Sequence, residues 1–271
     1  MYADTIKKCS NNAARIVKLA DNNPLGFWIS SAMAGAYVGI GIILIFTFGN
    51  LVDPSIRPLV MGATFGIALT LVIIAGSELF TGHTMFLAFG ALTGQVSWKD
   101  NARILPQTWL GNLIGSVLVA YLFFLAGGGN LLPDAKSFLH AAALGKTAAP
   151  ASVLFFKGIL CNWLVCLAIW MCQRVEGTGK FIAIWWCLLA FIGAGFEHSI
   201  ANMTIFALSY FGNHSDAFTL GGIWHNLLWV SLGNIVSGAI FMAVGYWLAT
   251  PKTERPVFEK TAETATKPVK A

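Results

Sequence analysis

The chain has 271 residues, of which 56% are hydrophobic and 11% charged, less than half of the roughly 25% charged share of a soluble domain. The formal net charge of +5 comes from basic residues spread through connecting stretches and tails, with no basic helix or aromatic sheet to suit a nucleic-acid partner. The five cysteines, Cys9, Cys161, Cys166, Cys172 and Cys187, fall in or beside apolar stretches without metal-ligand spacing, so no disulfide framework, metal site or cofactor is expected.

Residues 1–23 carry Asp4, Lys7, Lys8, Arg15, Lys18 and Asp21 and lack the continuous apolar core of a cleavable signal peptide. Ile6, Ala13, Ile16, Val17 and Ala20 recur three and four apart, which predicts an amphipathic helix at a membrane surface or against a bundle. Six apolar segments follow: Phe27 to Phe48, Pro58 to Leu92, Ile104 to Ala126, Ala149 to Met171, Phe181 to Phe211 and Ile223 to Ala249. A helix needs about 20 residues to cross the hydrocarbon core, so the pattern predicts an all-α polytopic membrane protein with six transmembrane helices. The second and fifth segments have length to spare and contain polar clusters flanked by Gly76, Gly82, Gly193 and Gly195, which predicts interrupted helices lining a cavity. The lysine-rich stretch 251–271 is expected to be a disordered cytoplasmic tail.

With six crossings both termini share a side, and placing them inside puts thirteen of the seventeen Lys and Arg residues in the cytoplasm. Arg57, Lys136 and Lys146 alone fall in the opposite loops, so the positive-inside rule places both termini in the cytoplasm. A quiet repeat supports the same layout. Gly-x-Glu at 76–78 recurs at 195–197, and Gly111-Asn112 recurs as Gly233-Asn234, at intervals of 35 and 38 residues. Three segments per half reverse the polarity of the second copy, which predicts inverted halves, about 24–130 and 150–250, within one transport domain 24–250.

Ionisable groups inside apolar segments mark transport routes by default, because lipid does not tolerate them unpartnered. His198 is the sharpest candidate, since neutral imidazole can bond a solute and imidazolium can attract an anion or release a proton. Thr81 in the other interrupted segment can orient His198 or bond an anion, or simply cap a half-helix, and Asn162 either completes that polar surface or packs. Asn112 and Asn234 read as braces to a broken helix, since an unbonded amide facing lipid is costly. Glu78 and Glu197 would repel an anion if charged in its path, so structural support is expected of them, by accepting backbone amides at the interruptions or by protonation on burial. His83 is a weaker candidate than His198, and His140, His214 and His225 read as loop or interface residues. Lys146 can concentrate an anion at the outer mouth, with Lys157 a second candidate that can instead snorkel. Phe65, Leu69, Phe80, Phe191, Leu79 and Val165 fit either apolar constrictions or ordinary core.

The stretches Ala34-Gly35-Ala36-Tyr37-Val38-Gly39, Gly76-Ser77-Glu78-Leu79-Phe80-Thr81, the two Gly-Asn pairs and Gly195-Phe196-Glu197-His198-Ser199-Ile200-Ala201-Asn202-Met203 together resemble the formate/nitrite transporter family, and its bacterial nitrite branch in particular. The resemblance covers about Asn23 to Thr250 and implies an aquaporin-like fold, small monovalent anions as substrates, and a homopentamer in the bacterial inner membrane with one pore per subunit. It further implies His198, Thr81 and Asn162 as the polar centre and Lys146 near the outer vestibule. Phe65, Leu69 and Phe191 would then form the periplasmic constriction, and Leu79, Phe80 and Val165 the cytoplasmic one. Glu78 followed by Gly82-His83 departs from the formate-selective pattern toward the nitrite one. The function so implied is nitrite transport with proton involvement near His198, against a broader monovalent-anion channel. A neutral-solute aquaporin-like channel is weakened by the lack of paired Asn-Pro-Ala motifs, and a scaffold whose histidine is merely buried would transport nothing. No nucleophile and base set, cofactor loop or metal spacing points to an enzyme.

Overall fold

A computed structural model describes residues 1–134 and 137–258, and its regular elements there are all helical. Helix α1 (Ala3–Asn22) buries Ile6, Cys9, Ala13 and Ile16 completely on one stripe and turns its lysines outward. Asn23 ends it and at once caps α2 (Pro24–Leu51), accepting from the Gly26 amide. The second segment runs through α3 (Arg57–Thr64), α4 (Gly66–Thr70) and a π-helical turn (Leu71–Gly76), breaks, and resumes as α5 (Phe80–Leu92). A capping box of Ser97 and Asp100 opens α6 (Trp98–Leu125). The short α7 (Phe138–Ala148) precedes α8 (Ala151–Cys172) and α9 (Thr178–Gly193); after a second break come α10 (Ser199–Phe211) and α11 (Leu220–Val236), the last continuing through a π-helical stretch (Ser237–Val244) into α12 (Gly245–Ala249).

Among the described residues five stretches are long and apolar enough to cross a membrane: Pro24–Leu51, Arg57–Gly76, Trp98–Leu125, Ala151–Cys172 and Leu220–Ala249. The fifth expected segment is divided, as its glycines predict, into α9 of 16 residues and α10 of 13, each short of a full crossing alone. The chain is therefore a multi-pass helical membrane protein.

The two breaks share one cause. Gly76 and Gly195 stand at φ +82° and +69°, a region that costs any residue with a Cβ, and each turns the chain out of its helix. Three residues later, Leu79 and His198 are extended at φ −101°, ψ 125° and φ −115°, ψ 117°, and the next helix starts.

Small residues set the helix spacing around these breaks. A Cβ at Gly115 would overlap the Ala32 carbonyl and one at Gly35 the Asn112 carbonyl, so α2 and α6 touch backbone to backbone. Gly158 and Gly233 do the same for α8 and α11. On α6, Leu110, Ile114, Leu118 and Leu122 form an exposed stripe at four-residue spacing, suited to lipid or a neighbouring subunit.

The chain after α12 forms a 3-10 turn (Lys252–Glu254), and the Phe258 amide donates to the Thr93 carbonyl. Residues 259–271, the rest of the tail expected to be disordered, lie outside the described residues.

Candidate functional site

Each break is braced by a buried asparagine from a different helix. Asn112 on α6 donates to the carbonyls of Ser31 (2.8 Å) and Glu78 (2.9 Å) and accepts from the Phe80 amide (2.9 Å), the first N–H of α5. Asn234 on α11 donates to the carbonyls of Gly158 (2.8 Å) and Glu197 (3.3 Å) and accepts from the Ser199 amide (3.1 Å), the first N–H of α10. One side chain thus satisfies a carbonyl left over by the extended stretch and an amide that no helix can satisfy. The amides of Glu78 and Glu197 reach the carbonyls of Ser30 and Lys157, both at 3.3 Å.

The expectation that the two glutamates accept backbone amides is not met, because their carboxylates find side-chain cations and donors nearby. Glu78 receives Arg15 of α1 along both oxygens, at 2.6 and 3.1 Å, and His83 Nε2 at 2.8 Å. Glu197 receives Lys146 of α7 at 2.8 Å and Asn202 Nδ2 at 2.6 Å. Lys146 is thus no free charge; its ammonium is bound to a carboxylate with 20% of the side chain exposed. In each case the cation comes from a helix earlier in the chain, α1 or α7, and the second donor stands five residues after the glutamate. His83 continues to Thr108 Oγ1 (3.0 Å), and Asn202 to Asn226 Oδ1 (2.8 Å). Arg15, Asn226 and Thr108 escape a reading of the sequence, because their partners are distant in it. Lys157, the second candidate cation, contributes its backbone carbonyl here.

Between the breaks, His198 Nε2 lies 3.1 Å from Thr81 Oγ1. The Ala201 amide donates to His198 Nδ1 at 3.1 Å, so Nδ1 carries no proton and the neutral ring keeps its hydrogen on Nε2. Nε2–H then donates to Thr81 Oγ1, which leaves the threonine hydroxyl hydrogen for a further acceptor. Asn162 ties this centre to α11, its Nδ2 lying 3.0 Å from Thr84 Oγ1, 3.3 Å from the Thr81 carbonyl and 2.7 Å from the Asn234 carbonyl.

Three cavities lie in series through this point. The first, about 400 Å³, opens beside α1 and has Arg15, Glu78, His83 and Leu79 in its wall. The second, about 340 Å³, opens beside α7 and has Lys146, Asn202, Phe191 and His198 in its wall. The third, about 10 Å³, lies between them and shares Leu79 with one and Phe191 and His198 with the other, with Phe65, Leu69 and Val165 completing the constriction. That volume is at the lower limit for a single water molecule. Phe65 meets Phe191 edge to face at 5.5 Å, and Phe191 stacks on His198 at 6.0 Å. Phe80 lines none of the three cavities; it is buried, and its backbone meets Asn112.

His140 and His225 are partnered outside the constriction, His140 on Ser209 and the Leu132 carbonyl and His225 on the Ala149 carbonyl. Burial holds His140 below the ordinary histidine range, so it is neutral at pH 7 and braces α7 from within.

Fold and site together define a multi-pass membrane protein whose two mouths meet at a constriction centred on one neutral histidine. A sequence profile of the formate/nitrite transporter family matches residues 3–248, and the chain belongs to that family. It is 72% identical over 266 residues to a nitrite transporter, NirC, of Escherichia coli strain K12, a match covering 98% of this chain and 99% of the relative. A solved structure of an FNT family ion channel superposes with a TM-score of 0.90 at 73% identity, covering 92% of this chain and 99% of the other. A pentameric formate channel with formate bound superposes with a TM-score of 0.73 at 27% identity, covering 85% and 98%.

Proposed function

We propose that the protein carries nitrite across the bacterial inner membrane through a path within each subunit, with a proton accompanying the anion past His198. The observation that carries this reading is the ring of His198, 3.1 Å from Thr81, in the wall of an apolar constriction of about 10 Å³ between two much larger cavities. A hydrated ion does not fit there. Taking a bare anion out of water costs several kcal/mol even after relaxation, whereas its conjugate acid avoids that penalty. The starts of α5 and α10 converge at this point, and the free N–H groups and positive dipole ends of half-helices favour negative charge. The anion is drawn to the centre by these groups and by the Thr81 hydroxyl, is met there by a proton, and passes Phe191 and Leu79 as the neutral acid. His198 acts as a neutral hydrogen-bond donor that orients Thr81, because protonating Nδ1 would break its bond from Ala201.

In this reading the two braced breaks are the matching parts of an inverted, aquaporin-like repeat of six crossings, with α9 and α10 together making the fifth. Arg15 answers Lys146, Glu78 answers Glu197, and Asn112 answers Asn234. Residues 24–250 are the transport domain, residues 1–23 a helix at the cytoplasmic face, and both termini are cytoplasmic, as the distribution of Lys and Arg supports. The α1-side cavity then faces the cytoplasm and the α7-side cavity the periplasm. By likeness to the pentameric formate channel the protein is a homopentamer, with the exposed stripe of α6 against lipid or a neighbour.

The test uses purified protein in sealed liposomes, with nitrite influx followed in the presence and absence of formate. Protein-dependent influx that is lost in a pentameric His198→Phe variant is expected. Wild-type influx in that variant contradicts the central site, and no protein-dependent influx of nitrite contradicts the substrate.

A further inference from the structure

Of the three cations that the sequence places in the loops opposite the termini, Lys146 is held by Glu197 and brings its cavity no net charge. Arg57 lines the same cavity and is held differently. Its Nε donates at 2.7 Å to the Gly49 carbonyl, one of those that the last turn of α2 leaves unpaired. Gly49 also lets the stem of the arginine pack close, since a Cβ there would come within 3.4 Å of Arg57 Cγ. The guanidinium carbon lies 4.1 Å from the centre of the Phe138 ring, and Phe138 in turn stacks on Phe46 at 5.2 Å. One backbone bond and a pair of stacked rings thus fix the plane of the group. Among the described residues no carboxylate lies within ion-pair distance of Arg57, and neither terminal nitrogen has a hydrogen-bond partner. Asp53, four residues earlier, accepts from the Ser55 amide (2.8 Å) and hydroxyl (2.6 Å) and is exposed to water, which screens its charge.

We propose that the open edge of Arg57 is an anion-binding site in the α7-side cavity, selective for a planar anion with two oxygens on one atom. Arginine presents its N–H groups in a rigid planar fork, and with Nε engaged the fork still has Nη1 and Nη2 to offer. Each donates one hydrogen to one oxygen of the anion, the parallel arrangement that carboxylates make with arginine. Nitrite has that shape, and so has formate; the choice of nitrite as the natural ligand rests on the reading above. A halide presents a single centre and gains less from two parallel donors. Phe138 covers one face of the guanidinium, so water is kept from that side and the charge is less screened there.

The α1-side cavity has an arginine in its wall too, but there the fork is filled. Arg15 sets Nη1 on one oxygen of Glu78 at 2.6 Å and Nη2 on the other at 3.1 Å. The same molecule therefore displays, with its own carboxylate, the geometry assigned to Arg57 and an anion from outside. Lys146 pairs with Glu197 and Arg15 with Glu78, so Arg57 is the cation in these two walls that keeps its charge uncompensated. An anion entering from the α7 side meets a net positive group before the constriction, and one entering from the α1 side meets a cation already paired. Closing the end of α2 accounts for one N–H of the guanidinium and leaves the other four without a structural task.

Binding can be read without transport, from the nitrogen-15 guanidinium signals of arginine-labelled protein in lipid bilayers. The protein is titrated with sodium nitrite, sodium formate and sodium chloride at equal concentrations, beside Arg57→Lys. The chain has five arginines, and the signal absent from the variant identifies Arg57. That signal is expected to shift with nitrite and formate and to stay in place with chloride. A wild-type spectrum in which no arginine signal moves with nitrite overturns the proposal, whatever the variant does, and so does an equal shift with chloride. In liposomes, half-saturating nitrite is expected to rise roughly fivefold to tenfold in both Arg57→Lys and Arg57→Gln, by a larger factor than any fall in maximal flux; the pair is partly exposed and so weaker than a buried one. A lysine variant with the wild-type value overturns the fork, and a fall in maximal flux at unchanged half-saturation reduces Arg57 to a cap on α2. Absence of nitrite flux in the wild type would contradict the transport reading and leave the spectral shift standing.

Discussion

Replacing Asn112 by leucine removes the brace of the first break while keeping the side chain's approximate volume. Two groups then lose their partner in a buried place, the Phe80 amide and the Glu78 carbonyl; the Ser31 carbonyl retains its place in α2. Unsatisfied buried groups cost about 1–3 kcal/mol each in soluble proteins. Side-chain bonds between membrane helices average about 0.6 kcal/mol and reach about 1.7, since the unfolded chain also finds partners in lipid. The loss for Asn112→Leu is therefore about 2–4 kcal/mol, and the matching geometry at the Ser199 amide and Glu197 carbonyl gives the same figure for Asn234→Leu. Denaturation in mixed micelles, read by loss of helix signal, measures both. Asn50→Leu is the control, because Asn50 makes a single long bond of 3.4 Å at an exposed site and should shift stability by less than about 0.5 kcal/mol. The reasoning is refuted if Asn112→Leu matches that control, or if the two braces differ by more than about 2 kcal/mol.

Lys146→Ala leaves Glu197 without its cation beside the cavity that opens next to α7. One negative charge about 8 Å from an incoming anion, at an effective dielectric of about 20–40, costs about 1–2 kcal/mol, so half-saturating nitrite should rise roughly fivefold to thirtyfold. Adding Glu197→Gln should recover most of it, and unchanged concentration dependence in Lys146→Ala would remove the electrostatic role. Phe191→Ala opens the constriction beside His198 and should admit chloride, measured as chloride efflux from liposomes; a chloride-tight variant would place the barrier elsewhere. For His140 the sign runs against acid. Its folded pKa lies below the unfolded value of about 6.5, so the unfolded chain takes up the proton first and stability falls as pH drops through about 6.5. His140→Gln should flatten the stability change between pH 7 and 5, and an unchanged slope would mean His140 does not cause it.

The interruptions were legible because glycine next to an acidic residue inside an apolar run has few explanations in a membrane. Gly76 and Gly195 do carry the positive φ that breaks the helices. What periodicity and composition miss is long-range pairing. Arg15 is 63 residues from Glu78, and on its own helix it looks like one more surface cation. By sequence His83 is a weaker candidate than His198, and what the sequence misses is its bond back five residues across the break to Glu78. The recurrence of Gly-x-Glu offers the missing signal: once Lys146 is seen on Glu197, Glu78 asks for a cation from a helix ahead of it as well.

The most direct test of the account follows nitrite and internal pH together in proteoliposomes at clamped membrane potential, against protein-free vesicles that report leakage of the free acid. The constriction at His198 and Thr81 predicts that each nitrite arrives with about one proton and without net charge. Nitrite influx that carries current and leaves the internal pH unchanged would contradict it.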